Sequence, residues 1–459
     1  MKLREPALKA LKDLFGERLL LAEEDILPYG ADASSLFFKP EVVVFPETKA
    51  EVSELLRLAE SFNFPVVARG SGTSTTGSSL PVEGGMVVSF AKMNRILEIV
   101  PEERLARVEP GVLNGDLKNY LKKFGLFYPP DPASYAFSTI GGNVATGAGG
   151  PRGLKYGTTK DYVLSLEVAL SGGKLLKTGP TTLKGVVPYN LTPLFVGSEG
   201  TLGLIVEIVL KLLPLPEKRK LYLVFSPVES KTLELITETL LKGLTPASAE
   251  FVDRTTLKVI KEKVEEKVRT DQILKTTESL LWVEFDGRIE EVKRDSGAFE
   301  IILEQKGLSF LSADKEEDIE ALWEIRRGIS PSLFKLGPKK IADDVVVPRR
   351  KMVEFLRYLR KLEEESGISI ASFGHAGDGN FHVNLLFKEG EEERAKSIRE
   401  NLLKKVLEFF GSISGEHGIG FSKRPYVVWE LDPLQIELMK KLKALFDPKG
   451  LLNPHVKLP

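Results

Sequence analysis

All four histidines of the chain lie beyond residue 374. Three of them fall in two dense polar motifs, Gly374-His375-Ala376-Gly377-Asp378-Gly379-Asn380-Phe381-His382-Val383-Asn384 and Ser414-Gly415-Glu416-His417-Gly418-Ile419-Gly420. Histidine both ligates metals and moves protons near neutral pH, so this clustering marks where chemistry is concentrated. His382 and Asn384 alternate with apolar Phe381, Val383 and Leu385, which predicts a strand that turns both polar side chains to one side. His375 stands in the glycine-rich turn before that strand, and Glu416 in a separate glycine-rich turn. Two neutral imidazoles and a carboxylate, with room for further oxygen ligands, suit zinc, manganese or iron(II) better than magnesium or calcium. On spacing alone the plainer reading, hydrogen-bonded polar residues that support tight turns, is the stronger.

Such residues need a scaffold, and the first half of the chain reads as alternating strand and helix. Val42 to Phe45 is a short apolar strand, Thr48 with Glu51 makes a capping box that opens a helix to about Asn63, and Pro65 to Ala68 is the next strand. That strand runs into Arg69-Gly70-Ser71-Gly72-Thr73-Ser74-Thr75-Thr76-Gly77-Ser78-Ser79. Its glycines admit close backbone approach and its amides and hydroxyls are donors, a combination that suits a diphosphate. It lacks the ending of a Walker loop and the spacing of a dinucleotide fingerprint, and taken alone it is as readily a surface loop. A second glycine-dense stretch follows, Tyr128-Pro129-Pro130-Asp131-Pro132, then Ser138-Thr139-Ile140-Gly141-Gly142-Asn143, then Ala145 to Gly153. A third, Gly197-Ser198-Glu199-Gly200-Thr201-Leu202-Gly203, precedes a strand from Leu204 to Leu210.

Composition narrows the class. A length of 459 residues implies about two or three domains, and 42% hydrophobic residues suffice for a substantial core. A formal net charge of -1 argues against a nucleic-acid binder, which carries a basic excess or stripe. Lys218-Arg219-Lys220, the one compact basic run of the first half, reads as a solvated linker. Zero cysteines exclude disulfides, thiolate zinc sites, cysteine nucleophiles and an iron-sulfur cluster held by this chain's own thiolates. The start, Met1 to Glu5, lacks a signal peptide's apolar core, and no window approaches the roughly 20 apolar residues that span a bilayer. The expected location is therefore cytoplasmic, or peripheral at the inner membrane through a partner, with no integral membrane segment.

Taken together, Arg69 to Gly77, Pro129-Pro130-Asp131, Gly141-Gly142-Asn143 and Gly200-Thr201-Leu202-Gly203 resemble the FAD-binding domain of the vanillyl-alcohol oxidase and p-cresol methylhydroxylase superfamily. The late histidine motifs resemble the C-terminal domain of its D-2-hydroxy-acid dehydrogenase branch, which includes the glycolate oxidase FAD subunit, D-lactate dehydrogenases and D-2-hydroxyglutarate dehydrogenase. The resemblance runs nearly the length of the chain and in order. It implies an α+β fold: a two-part FAD-binding domain over 1–215, an antiparallel-sheet cap (substrate) domain covered by helices over 216–425, and a helical segment over 426–459 that returns to the first domain. It also implies that Arg69, Gly70, Ser71, Gly72, Thr73, Ser74, Thr75, Thr76 and Gly77 wrap the FAD diphosphate. Pro130, Asp131, Ser138, Thr139, Gly141, Gly142, Asn143, Ala145 and Gly149 would lie along the cofactor, with Ile205 on its adenine side. Asn453, in Asp447-Pro448-Lys449-Gly450-Leu451-Leu452-Asn453-Pro454, would return to the flavin, although His455-Val456 replaces the usual Gly-Lys; a tail packed on the first domain fits the segment equally well. With no cysteine and no histidine before residue 375, covalent attachment would have to use Tyr128, Tyr135 or Tyr156, and dissociable FAD is expected.

For the second half the resemblance implies His375, His382 and Glu416 as ligands of a divalent metal, zinc before manganese or iron, and His417 as the general base. Arg326 is the expected carboxylate clamp, against the plainer reading of a helix-surface arginine; Ser330, Lys340 and Asn384 match substrate-side positions. Asp378 and Asn380 stiffen the turn. The implied reaction oxidises D-lactate, glycolate or a D-2-hydroxyglutarate-like acid to the 2-oxo acid, with hydride passing to flavin N5. Electrons would then leave to a separate acceptor, whether an iron-sulfur subunit, an electron-transfer flavoprotein, a quinone or a cytochrome, and an oligomer is compatible with all of these. The competing readings are an alkyl-glycerone-phosphate synthase-like enzyme that forms an ether bond, and a non-catalytic flavin subunit of a respiratory complex. After Pro214 the pattern predicts strands at Leu221 to Phe225 and Ser279 to Phe285, an amphipathic helix over Thr255 to Val268 whose Lys/Glu run is a solvated face, and crossover helices over Thr232 to Leu241 and Lys351 to Ser366.

Overall fold

After the helix Glu5–Phe15, short β-branched runs and a self-capped helix build the first sheet of the first of two units. Thr48 Oγ1 accepts the Glu51 amide at 3.2 Å while the Glu51 carboxylate accepts the Thr48 amide at 3.3 Å, which starts the helix Lys49–Phe62; Asn63, in the left-handed region, stops it. In the computed structural model, residues 3–268 and 272–459 are described, so Met1 and Lys2 of the amino-terminal stretch lie outside the described residues. Unit 1 comprises Met1–Gly149, Thr158–Pro214 and Glu416–Pro459; unit 2 comprises Gly150–Gly157 and Leu215–Gly415.

Unit 1 contains, in chain order, strands β1 (Leu19–Leu20), β2 (Val42–Val44), β3 (Val66–Arg69), β4 (Met86–Ser89), β5 (Ile96–Val100), β6 (Leu105–Val108), β7 (Leu126–Phe127), β8 (Val163–Ala169), β9 (Leu175–Thr178), β10 (Leu204–Lys211) and β11 (Leu213–Pro214). The first sheet has the order β1-β2-β4-β3, with β2 and β3 both parallel to β4 and the helix Lys49–Phe62 as the connection between them. Parallel strands covered on both faces read as unbroken apolar runs, which is why Val42-Val43-Val44 shows no alternation. Val42 and Val44 pack with Val52, Leu55 and Leu56 of the helix, while Val43, Val67 and Val87 face Ile26 on the other side. The second sheet is antiparallel with order β5-β6-β10-β8-β9.

Unit 2 is built on one antiparallel sheet of seven strands: β12 (Lys218–Ser226), β13 (Ser248–Val252), β14 (Ser279–Gly287), β15 (Ser309–Ala313), β16 (Lys339–Val346), β17 (Ser369–His375) and β18 (Asn380–Phe387). Their order is β15-β12-β14-β13-β17-β18-β16. Alternation sorts the residues between its faces. Leu223, Trp282, Val252 and Phe373 share a core with the helices Arg254–Val268 and Glu316–Arg327. On the opposite face Phe355 of the helix Met352–Ser366 meets Phe381 edge-on, and Phe299 of the helix Ile289–Gln305 meets Tyr222. The expected helix-covered antiparallel sheet is thus observed.

One expectation is corrected here. Lys218-Arg219-Lys220 is not a solvated linker but the start of β12, where Arg219 grips the buried Glu284 through Nε at 2.9 Å and Nη2 at 3.0 Å. Arg152 adds Nη2 to Glu284 at 3.1 Å and Nη1 to Asp286 at 2.9 Å, and Lys155 Nζ and Tyr156 Oη reach Asp286 Oδ1 at 2.8 and 2.7 Å. This buried network ties the excursion Gly150–Gly157 to the sheet of unit 2. Among the described residues, no helix is long and apolar enough to cross a membrane.

Candidate active site

The expected cofactor loops come together within unit 1. Arg69 ends β3 with its guanidinium buried over the Tyr29 ring at 5.6 Å. Gly72, at φ +70, clears that guanidinium, and a side chain on Gly70 would collide with the Thr139 hydroxyl, so the first and second glycine segments touch. Ser74 Oγ accepts the amides of Thr76 and Ser78 at 3.2 and 3.3 Å and shapes the turn; Ser71 and Thr75 are exposed, and Thr73 half-buried. Thr139 caps the helix Ile140–Thr146 by accepting the Gly142 amide at 3.1 Å, and Gly141 packs its bare Cα against Pro110. Pro130 accepts from Asn114 Nδ2 at 3.2 Å, Ala145 O accepts the Glu199 amide at 2.7 Å, and Ile205 lies buried on β10.

The residues that should hold FAD can be tested by what they leave unsatisfied. Buried polar atoms are almost always hydrogen-bonded. Among the described residues, Arg69 Nη1, Ser138 Oγ, Asn143 Nδ2 and Asn453 Oδ1 are buried with no partner in the chain. Others of the kind lie elsewhere, Ser248 Oγ and Ser372 Oγ in unit 2 among them; these four stand in the segments expected to line the cofactor and offer the donors and acceptor that a diphosphate and a flavin ring use, so the residues fit the group.

The His417 loop is tied into the same unit. Glu199, a non-glycine at φ 55 with its side chain buried, accepts the amides of Ile419 at 2.9 Å and Gly420 at 2.7 Å. Thr76 Oγ1 donates to His417 O at 3.3 Å, and Thr76 O accepts the Phe421 amide at 2.9 Å. Asn453 donates through Nδ2 to Ser78 O and to Glu199 O, both at 2.7 Å, so the tail packs on the unit. His455, standing where the resemblance expects glycine, does adopt a positive φ of 62 and pairs with Glu83. His417 Nε2 lies 3.6 Å from Glu416 Oε1, and Glu416 presses on Gly149, where any side chain would overlap its carboxylate.

Within unit 2 the strand register brings the remaining residues to one face of the sheet. Directly opposed residues share a face, and the pairs are Glu250 with His375, Phe373 with His382, Asp344 with His382, and Ala342 with Asn384. The His375 and His382 rings stand at right angles with centroids 5.1 Å apart. His375 Nδ1 is 2.6 Å from Glu250 Oε1, and His382 Nδ1 is 3.9 Å from Asp344 Oδ1. Burial alone would push the Glu250 carboxyl up; the His375 imidazole and the Arg326 guanidinium beside it outweigh this and hold it down at about 2. Asp344 also accepts from Asn380 Nδ2 at 2.5 Å and from the Gly415 amide at 2.8 Å. One peptide bond, about 3.8 Å between Cα atoms, then leads from Gly415 to Glu416.

Arg326 is not a helix-surface arginine. It is buried, lies over Phe373 at 4.7 Å, and gives Nε and Nη2 to Glu250 Oε2 at 3.0 and 2.6 Å. Lys340 on β16 donates to Ser330 Oγ at 3.1 Å, and burial pulls its ammonium below the ordinary lysine value. Asn384 is buried and donates to His382 O at 3.2 Å. Glu199, Glu250 and Asp344 carry this arrangement and were not expected. Their one signal in sequence is an acidic residue set among buried positions, as in Ser248-Ala249-Glu250-Phe251-Val252, where a carboxylate needs a partner. The donor set that unit 2 contributes, imidazole nitrogens backed by carboxylates, is of the kind that fits a divalent transition metal.

Comparison with known proteins adds an independent line. Residues 215–456 match the family of FAD linked oxidases, C-terminal domain, and residues 40–179 match an FAD binding domain. The chain is 40% identical over 433 residues to the glycolate oxidase subunit GlcD of Bacillus subtilis, covering 93% of this chain and 91% of that protein. It is 34% identical over 464 residues to the D-lactate dehydrogenase of Anaerostipes hadrus, covering 99% and 97%. The fold is shared with crystalline p-cresol methylhydroxylase, at a TM-score of 0.79 and 17% identity over 98% of this chain and 96% of that one.

Proposed function

Because the chain belongs to the FAD-linked oxidases, and is thus an FAD-linked oxidoreductase, we propose that it oxidises a D-2-hydroxy acid to the 2-oxo acid with the help of a divalent metal. D-lactate, glycolate and D-2-hydroxyglutarate are the candidate substrates; relatives named for glycolate and D-lactate support the first two. The observation that carries the reading is the single sheet face of unit 2 on which His375, His382, Arg326, Lys340 and Asn384 converge.

His375 and His382, with Glu416 one residue beyond the Asp344-held Gly415, form the proposed metal set, zinc before manganese or iron. Bound there, the metal would acidify the substrate hydroxyl as it does water. Arg326 and Lys340 supply the positive charge that orients the substrate carboxylate, and Ser330 and Asn384 add hydrogen bonds. His417 takes the hydroxyl proton at Nε2, with its loop held still by Glu199 and Thr76. FAD would be held without a covalent link by the residues named above and would supply a hydride acceptor at N5. A purely structural flavin subunit has no use for a histidine pair backed by buried carboxylates, and this weighs against that alternative. With no cysteine to hold a cluster, the chain hands its electrons to a separate acceptor.

The test is the visible spectrum under anaerobic conditions as D-lactate, glycolate and D-2-hydroxyglutarate are added separately. At least one should bleach the flavin band, and His417→Asn should slow that bleaching by about 10²–10⁴-fold with FAD still bound. A spectrum of the metal-loaded protein unmoved by all three acids would overturn the substrate class, and near-normal bleaching in the variant would overturn the base.

A further inference from the structure

Resting on the metal reading above, we propose that Glu250 is a positioning residue: it fixes which nitrogen of His375 faces the metal and ties that ligand to Arg326. Glu250 and His375 are direct cross-strand partners on β13 and β17, and Oε1 lies 2.6 Å from Nδ1. The Glu250 side chain is 0% exposed, so the carboxylate is shielded from bulk solvent. Its second oxygen is held from the side by two Arg326 nitrogens at 3.0 and 2.6 Å. A carboxylate gripped by a guanidinium in this way is an acceptor only. In the neutral ring that a metal binds, the short contact to Glu250 therefore places the hydrogen on Nδ1 and leaves the lone pair on Nε2, the nitrogen a metal can take.

Arg326 extends the coupling to the second imidazole. Its guanidinium lies 4.7 Å over the Phe373 ring, and Phe373 is the β17 partner of His382 with ring centroids 5.4 Å apart. One arginine thus stands behind both histidines, through a carboxylate on one side and an aromatic ring on the other. A carboxylate taken by the remaining Nη1 would share this guanidinium with Glu250, which couples substrate and metal occupancy.

The experiment uses the full-length protein stripped of metal. Four histidines in the whole chain make selective 15N labelling tractable, and loss of a signal in His375→Asn assigns the residue. In the wild type the His375 nitrogen shifts should report the Nδ1-protonated tautomer; the Nε2-protonated form would overturn the proposal. Competition with a coloured chelator then measures zinc and manganese affinity. Glu250→Gln should lower it about 10–100-fold and broaden His375 into a tautomer mixture, with Glu250→Asp intermediate. Unchanged affinity in a folded Glu250→Gln protein that retains FAD would also overturn it. If the wild type binds neither metal, the metal reading itself fails, and the tautomer alone decides the place of Glu250. That measurement needs no substitution at 250, so a misfolded variant does not shield the idea.

Discussion

Gly149→Ala should weaken metal binding without altering any proposed ligand. A methyl group at 149 would lie 3.2 Å from Glu416 Cβ and 3.5 Å from Cδ, and would overlap Oε2 outright. The backbone itself accepts alanine, because Gly149 is not among the positions with positive φ. The Cβ of Glu416 is anchored to the chain, so the carboxylate gives way. Restoring an ordinary contact of about 3.5 Å requires the oxygen to retreat by about 1 Å. Metal-ligand distances hold to within about 0.2 Å, so such a retreat disengages the ligand. Perturbing a ligand to this degree lowers metal affinity about 10–100-fold, or about 1.4–2.7 kcal/mol. Chelator competition on the purified variant reads the affinity, with FAD content and melting temperature as controls for folding. An affinity within about twofold of wild type, where RT ln 2 is a fraction of the effect, would show that Glu416 does not hold the ion from this position.

Two further outcomes test the scaffold. Glu284→Gln should destabilise unit 2 by about 3–5 kcal/mol at pH 7, since it leaves Arg152 and Arg219 facing a neutral partner in a buried site; denaturant unfolding measures it. Burial alone would raise the Glu284 carboxyl, but Arg152 and Arg219 outweigh it and hold it below the ordinary value. Its contribution is therefore complete above that ordinary value and is lost as pH falls through the depressed one, so the gap between wild type and variant should narrow in acid. A gap constant with pH would refute the charge pairing as its source. Thr48→Ala removes one half of the capping box and should cost about 1 kcal/mol, read as a lower melting temperature with unchanged FAD content; no shift would mean that tertiary contacts alone set the helix start.

What could be read from sequence was what is local. The capping box at Thr48 and Glu51 involves residues three apart, and the helix begins where they predict. His382 and Asn384 obey a two-residue period, and their common face follows from it. The expected strands at Leu204, Leu221 and Ser279 appear, each extended by a residue or more at one or both ends. What could not be read was whatever depends on register between distant strands. Glu250 meets His375 only because β13 lies beside β17, and Asp344 meets His382 only because β16 lies beside β18. Arg326 is expected from sequence as a clamp for a substrate carboxylate, but its grip on a carboxylate of the sheet depends on Glu250, distant in the chain. The same holds for Arg219, whose basic neighbours suggest a linker while Glu284, on the adjacent strand, turns it inward.

The chain changes unit four times, after Gly149, Gly157, Pro214 and Gly415. Neither unit is therefore a continuous stretch of the gene, and no single cut yields one of them intact. Synthesis order makes this sharper. The parallel bridge from Val66 to Leu452, and the Asn453 amide that joins Ser78 to Glu199, link residues made before the long unit 2 stretch to residues made after it. A nascent chain that has emitted all of unit 2 still lacks the segment that closes unit 1. Unit 1, begun before unit 2, is closed only after unit 2 has been made.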